Sequence, residues 1–229
     1  MHGDLWFGCG SAVDERELRL EMLSGREARI VYWPFALPPP MVPTADAWLR
    51  GHLTNLGVRY ELDTWTNLAD RSAEDLATAD VLFVGGGNTF RLLDHVRRHG
   101  FVDAVQKFQR SGGDYYGGSA GAVLACESIA IAEGHDPNEP GLTDLGGLGL
   151  ISGATILPHF TFDQLESTRR WARRHSTTVL GLPETVGLHC AAGGAIVIGS
   201  GRMTVISSSG VEHHAPGERV LLGSTSMRS

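Results

Sequence analysis

Residues 114–122, Asp-Tyr-Tyr-Gly-Gly-Ser-Ala-Gly-Ala, set Ser119 in a Gly-x-Ser-x-Gly frame directly after a short β-like run. A turn of this kind lifts a hydroxyl out of a sheet and aims it at a substrate. Its flanking glycines, Gly117 and Gly121, let strand and helix approach closely. The next amide, that of Ala120, opens a helix, where unpaired N–H groups favour developing negative charge. A second glycine turn ends the run Val81–Val84: Gly85-Gly86-Gly87-Asn88-Thr89. It lacks the Lys-Ser/Thr pair of a phosphate loop and the Gly-x-Gly-x-x-Gly spacing of a dinucleotide fold. Placed beside a nucleophile, it would offer an oxyanion-hole amide; the plainer reading is a helix-entry turn.

A serine nucleophile needs a base within hydrogen-bond reach, and the base needs an orienting acid. His159, in Ile-Leu-Pro-His-Phe, follows a short apolar run at an expected strand end. His2 is terminal, His52, His95, His99 and His175 fall in expected helices, His189 in a strand, and His213 and His214 in a polar turn. Three carboxylates compete for the acid: Glu184, which also ends an apolar run, and Glu133 and Asp136 in the loop after the Ser119 helix. Spacing alone does not choose among them.

These groups need elements to hold them. Leu5–Cys9, Arg29–Trp33, Val58–Leu62, Val81–Val84 and Asp114–Tyr116 read as strands. Helical spacing at Asp14–Leu23, Thr44–Leu56, Ala73–Ala77, Phe90–Arg98 and Val102–Arg110 separates or follows them. This alternation predicts a mostly parallel sheet covered on both faces, with ligands collecting at the carboxyl ends of its strands. The expectation is one α/β domain over 1–229, a three-layer sandwich with a β-rich finish from about 178. Residues 133–153, rich in Gly, Asp, Pro and Asn, read as a long surface loop, a frequent home for lids. Gln164–Arg174 is helical in character. Val179–Leu182, Val186–Cys190, Ala195–Ile198, Met203–Ile206 and Arg219–Leu222 read as short strands.

With 42% hydrophobic and 20% charged residues, the composition is that of a globular chain. The net charge of −7 argues against a nucleic-acid surface. No apolar run reaches membrane-spanning length, and Met-His-Gly-Asp lacks the order of a signal peptide, so a cytoplasmic location is expected. Cys9, Cys126 and Cys190 are scattered and odd in number, which suits a reducing compartment and neither a disulfide framework nor a zinc site.

With Gly-Gly-Gly-Asn-Thr-Phe at 85–90, Gly-Gly-Ser-Ala-Gly-Ala at 117–122, Pro-His-Phe at 158–160 and Gly-Leu-Pro-Glu at 181–184, the chain resembles the aspartyl dipeptidase (peptidase E) family. That family of serine peptidases also includes the cyanophycinases. The four motifs occur in the family's order, and the resemblance runs to about residue 206. It implies a flavodoxin-like fold of the class I glutamine amidotransferase type and a Ser-His-Glu triad. Ser119 would then be the nucleophile, His159 the base and Glu184 the acid that orients it, with Glu133 and Asp136 second choices. Gly87 and Ala120 would supply the oxyanion-hole amides and Asn88 would border the pocket. Arg169, in the helix after the histidine, would read the carboxylate of an N-terminal aspartate. No metal or organic cofactor is implied; a short peptide is the expected partner, with a possible homodimer. The segment between His159 and Glu184 is shorter than the family's and the 133–153 loop longer. These departures leave room for a cyanophycinase-like or carboxypeptidase-type activity without strict aspartate specificity. A non-catalytic binding protein of the same fold is the reading from another class. The serine's partners, the glycine turn at 85–87, His159 and Glu184, are expected at three separate strand ends along the top of a parallel sheet.

Overall fold

The computed structural model describes residues 2–10, 14–191 and 194–221. Five parallel strands form the heart of the main sheet: β1 (Leu5–Gly8), β2 (Glu27–Trp33), β3 (Arg59–Thr64), β4 (Val81–Val84) and β5 (Asp114–Gly118). Their order across the sheet is β1-β5-β4-β2-β3. The runs Leu5–Gly8 and Val81–Val84 are buried at every position, as strands covered on both faces must be. Beyond β1 the sheet continues through β8 (Val186–Ala191), β9 (Gly194–Gly199) and β12 (Arg219–Val220), each pairing antiparallel. The fold is thus mixed α/β around one large, mostly parallel sheet. Of the run 219–222 read from the sequence as a strand, Leu222 lies outside the described residues.

Helices cover both faces because their apolar residues recur at helical spacing. On one side, α1 (Arg16–Leu23) and α2 (Val42–Leu56) bury Leu18, Met22, Leu49 and Leu53 against Ile30, Tyr32 and Phe83. On the other, α4 (Thr89–Arg98) and α5 (Phe101–Arg110) bury Phe90, Leu93, Val96, Val105 and Phe108. The short α3 (Ala73–Leu76) contacts α5. Each fully buried Leu, Val or Phe contributes about 1.5–3 kcal/mol.

A second sheet departs from the single-sheet expectation. It joins β6 (Ala154–Pro158), β7 (Thr178–Leu182), β10 (Met203–Ile206) and β11 (Val211–His214), in the order β11-β10-β7-β6. β6 and β7 are parallel, connected by α7 (Leu165–His175). β11, with two histidines and a glutamate in four residues, reads as a turn from its polarity. Pairing with β10 holds it extended at the sheet edge.

The 133–153 loop is fastened down rather than free. Thr89 N–H donates to Asp136 (2.8 Å), the Asn88 amide to the Pro137 carbonyl (2.9 Å), and Arg97 to the Asp144 and Gly146 carbonyls. Gln106 of α5 donates to the Leu148 carbonyl at 2.8 Å.

Candidate active site

Register brings the four motifs together. β4 and β5 align Val84 with Gly117, so the glycine turn after β4 lies against the Ser119 turn after β5. β1 aligns Gly8 with Gly118, which sets Cys9 and Gly10 on the other flank; Ser119 N–H donates to the Gly8 carbonyl at 2.8 Å. β6 and β7 align Pro158 with Leu182, so the residues just beyond both strands, His159 and Glu184, emerge side by side. They come from adjacent strands of the second sheet, and only Ser119 comes from the main one.

The serine turn is tight. Ser119 has φ 51° and ψ −111°, a conformation that costs a non-glycine residue about 1–3 kcal/mol. Its glycines are required by packing: a Cβ on Gly117 would lie 2.6 Å from the Gly121 carbonyl, and one on Gly121 would lie 2.4 Å from the Val84 carbonyl. The buried Tyr115 hydroxyl donates to the Gly121 carbonyl at 2.7 Å and braces the turn from within the core. Gly87 has φ 134°, and a Cβ there would meet the Ala36 carbonyl at 2.2 Å. Its turn is held by Gly85 N–H to Trp33 and Asn88 N–H to Ala36.

His159 Nε2 lies 2.8 Å from Ser119 Oγ, and Nδ1 lies 2.5 Å from Glu184 Oε1. The histidine also has positive φ, 56°, a second strained residue in the same constellation. Its backbone N–H donates to Cys9 Sγ (3.2 Å), and that thiol donates to the Leu182 carbonyl (3.2 Å). One buried sulfur therefore ties the end of β1 to the ends of β6 and β7. Burial pushes the Cys9 thiol up to about 12. Cys9, His159 and Glu184 have ligand atoms within 4.8 Å of one another, but a thiol held protonated and used in both directions is a poor cation ligand.

The remaining candidates lie apart from this line. Glu133 is exposed on a short 3₁₀ turn, Ala130–Gly134. Asp136 accepts the Thr89 N–H at the start of α4. The Asn88 side chain is occupied twice, capping Arg91 N–H (2.8 Å) and donating to Pro137. Arg169 pairs with Glu166 of its own helix at 3.1 Å, while its Nε is buried without a hydrogen-bond partner among the described residues. Ala120 is the first residue of α6 (Ala120–Leu124), so helix geometry gives its N–H no intrahelical acceptor.

Three features escape the sequence reading. Glu15 is a buried carboxylate behind the turn. It accepts from Gly10 N–H (2.5 Å) and from the Tyr116 hydroxyl, and burial raises it above its ordinary value. Cys9 is the second, its role visible only once β1, β6 and β7 meet. The third is a cleft of about 310 Å³ beside Ser119 and Gly85–Gly87, walled by Tyr32, Leu37, Met41, Trp48, Phe83 and Tyr116. The Pro-rich stretch before α2 was its one sequence signal, since prolines there end β2 and swing Leu37 and Met41 over the strand ends.

Known proteins match this chain over most of its length. Residues 11–198 match the family described as peptidase family S51. A peptidase E from Citrobacter koseri is 32% identical over 215 residues, covering 89% of this chain and 90% of that protein. A peptidase E from Streptomyces coelicolor is 32% identical over 167 residues, covering 69% and 65% respectively. Among solved structures, one described as a peptidase E protein from Listeria monocytogenes EGD-e superposes with a TM-score of 0.70 at 22% identity, covering 87% of this chain and 99% of that one. A peptidase from an acI-B1 actinobacterium gives 0.71 at 18% identity, covering 96% and 97%. Those two support the fold, and the sequence matches carry the kinship: the chain belongs to peptidase family S51 and is a serine-type peptidase.

Proposed function

We propose that the protein hydrolyses dipeptides or very short peptides through an acyl-enzyme on Ser119, with His159 and Glu184 completing the triad. The observation that carries this reading is the unbroken line Ser119 Oγ–His159–Glu184, at 2.8 and 2.5 Å. Ser119 Oγ attacks the peptide carbonyl as His159 Nε2 takes its proton, and the amides of Gly87 and Ala120 face the developing oxyanion. His159 then returns the proton to the leaving amine. Water, activated by the same imidazole, releases the acyl group. Glu184 holds Nδ1–H and stabilises the imidazolium. No step in this sequence calls for a metal or organic cofactor.

Preference for an N-terminal aspartate belongs to this reading through Arg169, whose unpartnered Nε could be satisfied by a substrate carboxylate. A second reading, a cyanophycinase-like or carboxypeptidase-type enzyme without strict aspartate specificity, is favoured by the cleft beside Ser119. No charged side chain lines it among the described residues. Three free, buried cysteines fit work in a reducing cytoplasm. A homodimer remains part of the proposal, and sedimentation reads it directly.

The test is turnover of Asp-X, Glu-X and neutral dipeptides by purified enzyme and by Ser119→Ala. Loss of turnover in the variant with an unchanged fold supports the serine mechanism. Comparable turnover by the variant sinks it. Arg169→Ala should raise KM for Asp-X alone if Arg169 reads that side chain; an equal loss on neutral dipeptides removes it from the role.

A further inference from the structure

The cleft beside Ser119 differs in chemistry from a second cavity of the molecule. That cavity, about 320 Å³ at the β2–β3 edge, is lined by charged groups already engaged with one another or with neighbours: Arg71 with Asp63, and Arg29 with Asp80. The cleft at Ser119 is similar in volume, about 310 Å³, and its side-chain lining is mostly aromatic and aliphatic, with Thr44, Cys9 and Ser119 the small polar exceptions. Met41 and Trp48, two of the four exposed large hydrophobic residues among the described residues, stand at this cleft, 51% and 40% exposed. Trp48 shares the helical face of Ala45 and Leu49, yet those two are buried and it is not. Large apolar side chains left in water around a preformed concavity mark a binding site.

Orientation follows from the catalytic line, so this inference rests on the serine mechanism proposed above, in its reading without strict aspartate specificity. The imidazole must protonate the leaving amine, which places the leaving residue on the His159 side of Ser119. The cleft touches Ser119 and Gly85–Gly87 but neither His159 nor Glu184. It therefore lies on the acyl side. We infer that the cleft formed by Leu37, Met41 and Trp48 with Tyr32 and Phe83 is an acyl-side specificity pocket for a large apolar side chain, such as leucine or phenylalanine. An aspartate there would lose water without gaining a cation, a penalty that biases selection against it.

Four dipeptides with a common leaving residue, Leu-Gly, Phe-Gly, Gly-Gly and Asp-Gly, test the pocket. Leu-Gly and Phe-Gly should exceed Gly-Gly and Asp-Gly in kcat/KM by about tenfold or more. Trp48→Ala, and independently Met41→Ala, should lower the Leu-Gly to Gly-Gly ratio by about tenfold, mainly through KM. Tryptophan-fluorescence titration of Ser119→Ala should rank binding in the same order. Fastest turnover of Asp-Gly, or an unchanged ratio in both variants, overturns the pocket. A Trp48→Ala protein with an unchanged ratio but altered oligomeric state would assign this face to a second copy of the chain and overturn it as well. Failure of the mechanism has a different signature: Ser119→Ala would keep turning substrate over, and the binding order would still judge the pocket.

Discussion

Two glutamates flank the serine turn, and their surroundings are opposite. Glu15 is 1% exposed and accepts from the Gly10 N–H and the Tyr116 hydroxyl, both fixed by the main sheet. Glu184 has a side chain 53% exposed and holds a histidine that is itself 47% exposed. A buried carboxylate with fixed donors builds structure, because losing it strands those donors away from water. A half-exposed carboxylate on an imidazole adds little to folding but keeps the ring in one orientation and can answer its charge. The contrast separates the residues that hold the turn from those that would use it.

The largest effects break the contrast on the catalytic side. Ser119→Ala should lower kcat by about 10⁴–10⁶-fold in steady-state assays, with the fold retained by circular dichroism. Ser119→Gly should be equally inactive yet more stable by about 1 kcal/mol in urea, since glycine tolerates φ 51°. Glu184→Gln should cost about 10³–10⁴-fold in rate and less than about 1 kcal/mol in stability. If Asp136→Asn is the more damaging change, the acid is misassigned.

On the structural side the order reverses. Glu15→Ala should cost about 2–5 kcal/mol in urea denaturation, from the Gly10 and Cys9 amides and the Tyr116 hydroxyl left without their acceptor. Its pH dependence sharpens the point. The folded carboxyl titrates above its ordinary value of 4.5, so above that pH the unfolded chain loses its proton first. The stabilisation is complete below 4.5 and is lost as pH rises through the folded value. The stability of the natural protein relative to Glu15→Gln should therefore fall as pH rises above 4.5, measured by thermal melts. A difference that grows with pH would contradict this environment for Glu15.

Smaller effects come from the buried thiols and from a surface ion pair. Burial pushes Cys9 and Cys126 up to about 12. Iodoacetamide at pH 8 should leave the folded protein unlabelled and react once it is unfolded, read by intact mass. Rapid native labelling of Cys9 would mean that β1 parts from β6 and β7. Asp80 is held below its ordinary 3.8 by the bond from Arg29, so its small contribution is present at neutral pH and lost as pH falls through its lowered value. Asp80→Asn should cost less than about 1 kcal/mol at pH 7 and leave turnover unchanged.

Much of the frame was legible because local signals and burial agree. The alternation of apolar runs and helical spacing located β1 to β5 and α1 to α5 to within a few residues. The Gly-x-Ser-x-Gly pattern placed Ser119 on a strand-to-helix turn because those glycines answer close approaches only glycine permits. Polar β11 was missed because edge pairing, not side-chain pattern, holds it. The second sheet was hidden for a related reason: β6 and β7 look alike whichever partners they take. The choice among Glu184, Glu133 and Asp136 had no local signal either. The parallel register of β6 and β7 brings Glu184 to His159, while Asp136 is spent on the start of α4.

By itself, then, the sequence determined most of the elements, the glycine turns and a serine on a strand-to-helix turn, since each depends on residues a few positions apart. Tertiary structure alone decided which acid meets the histidine, that a buried thiol joins the two sheets beside it, and that an apolar cleft opens next to Ser119. Those features depend on strand register and on pairings across 25 to 173 positions of chain, which no local pattern encodes.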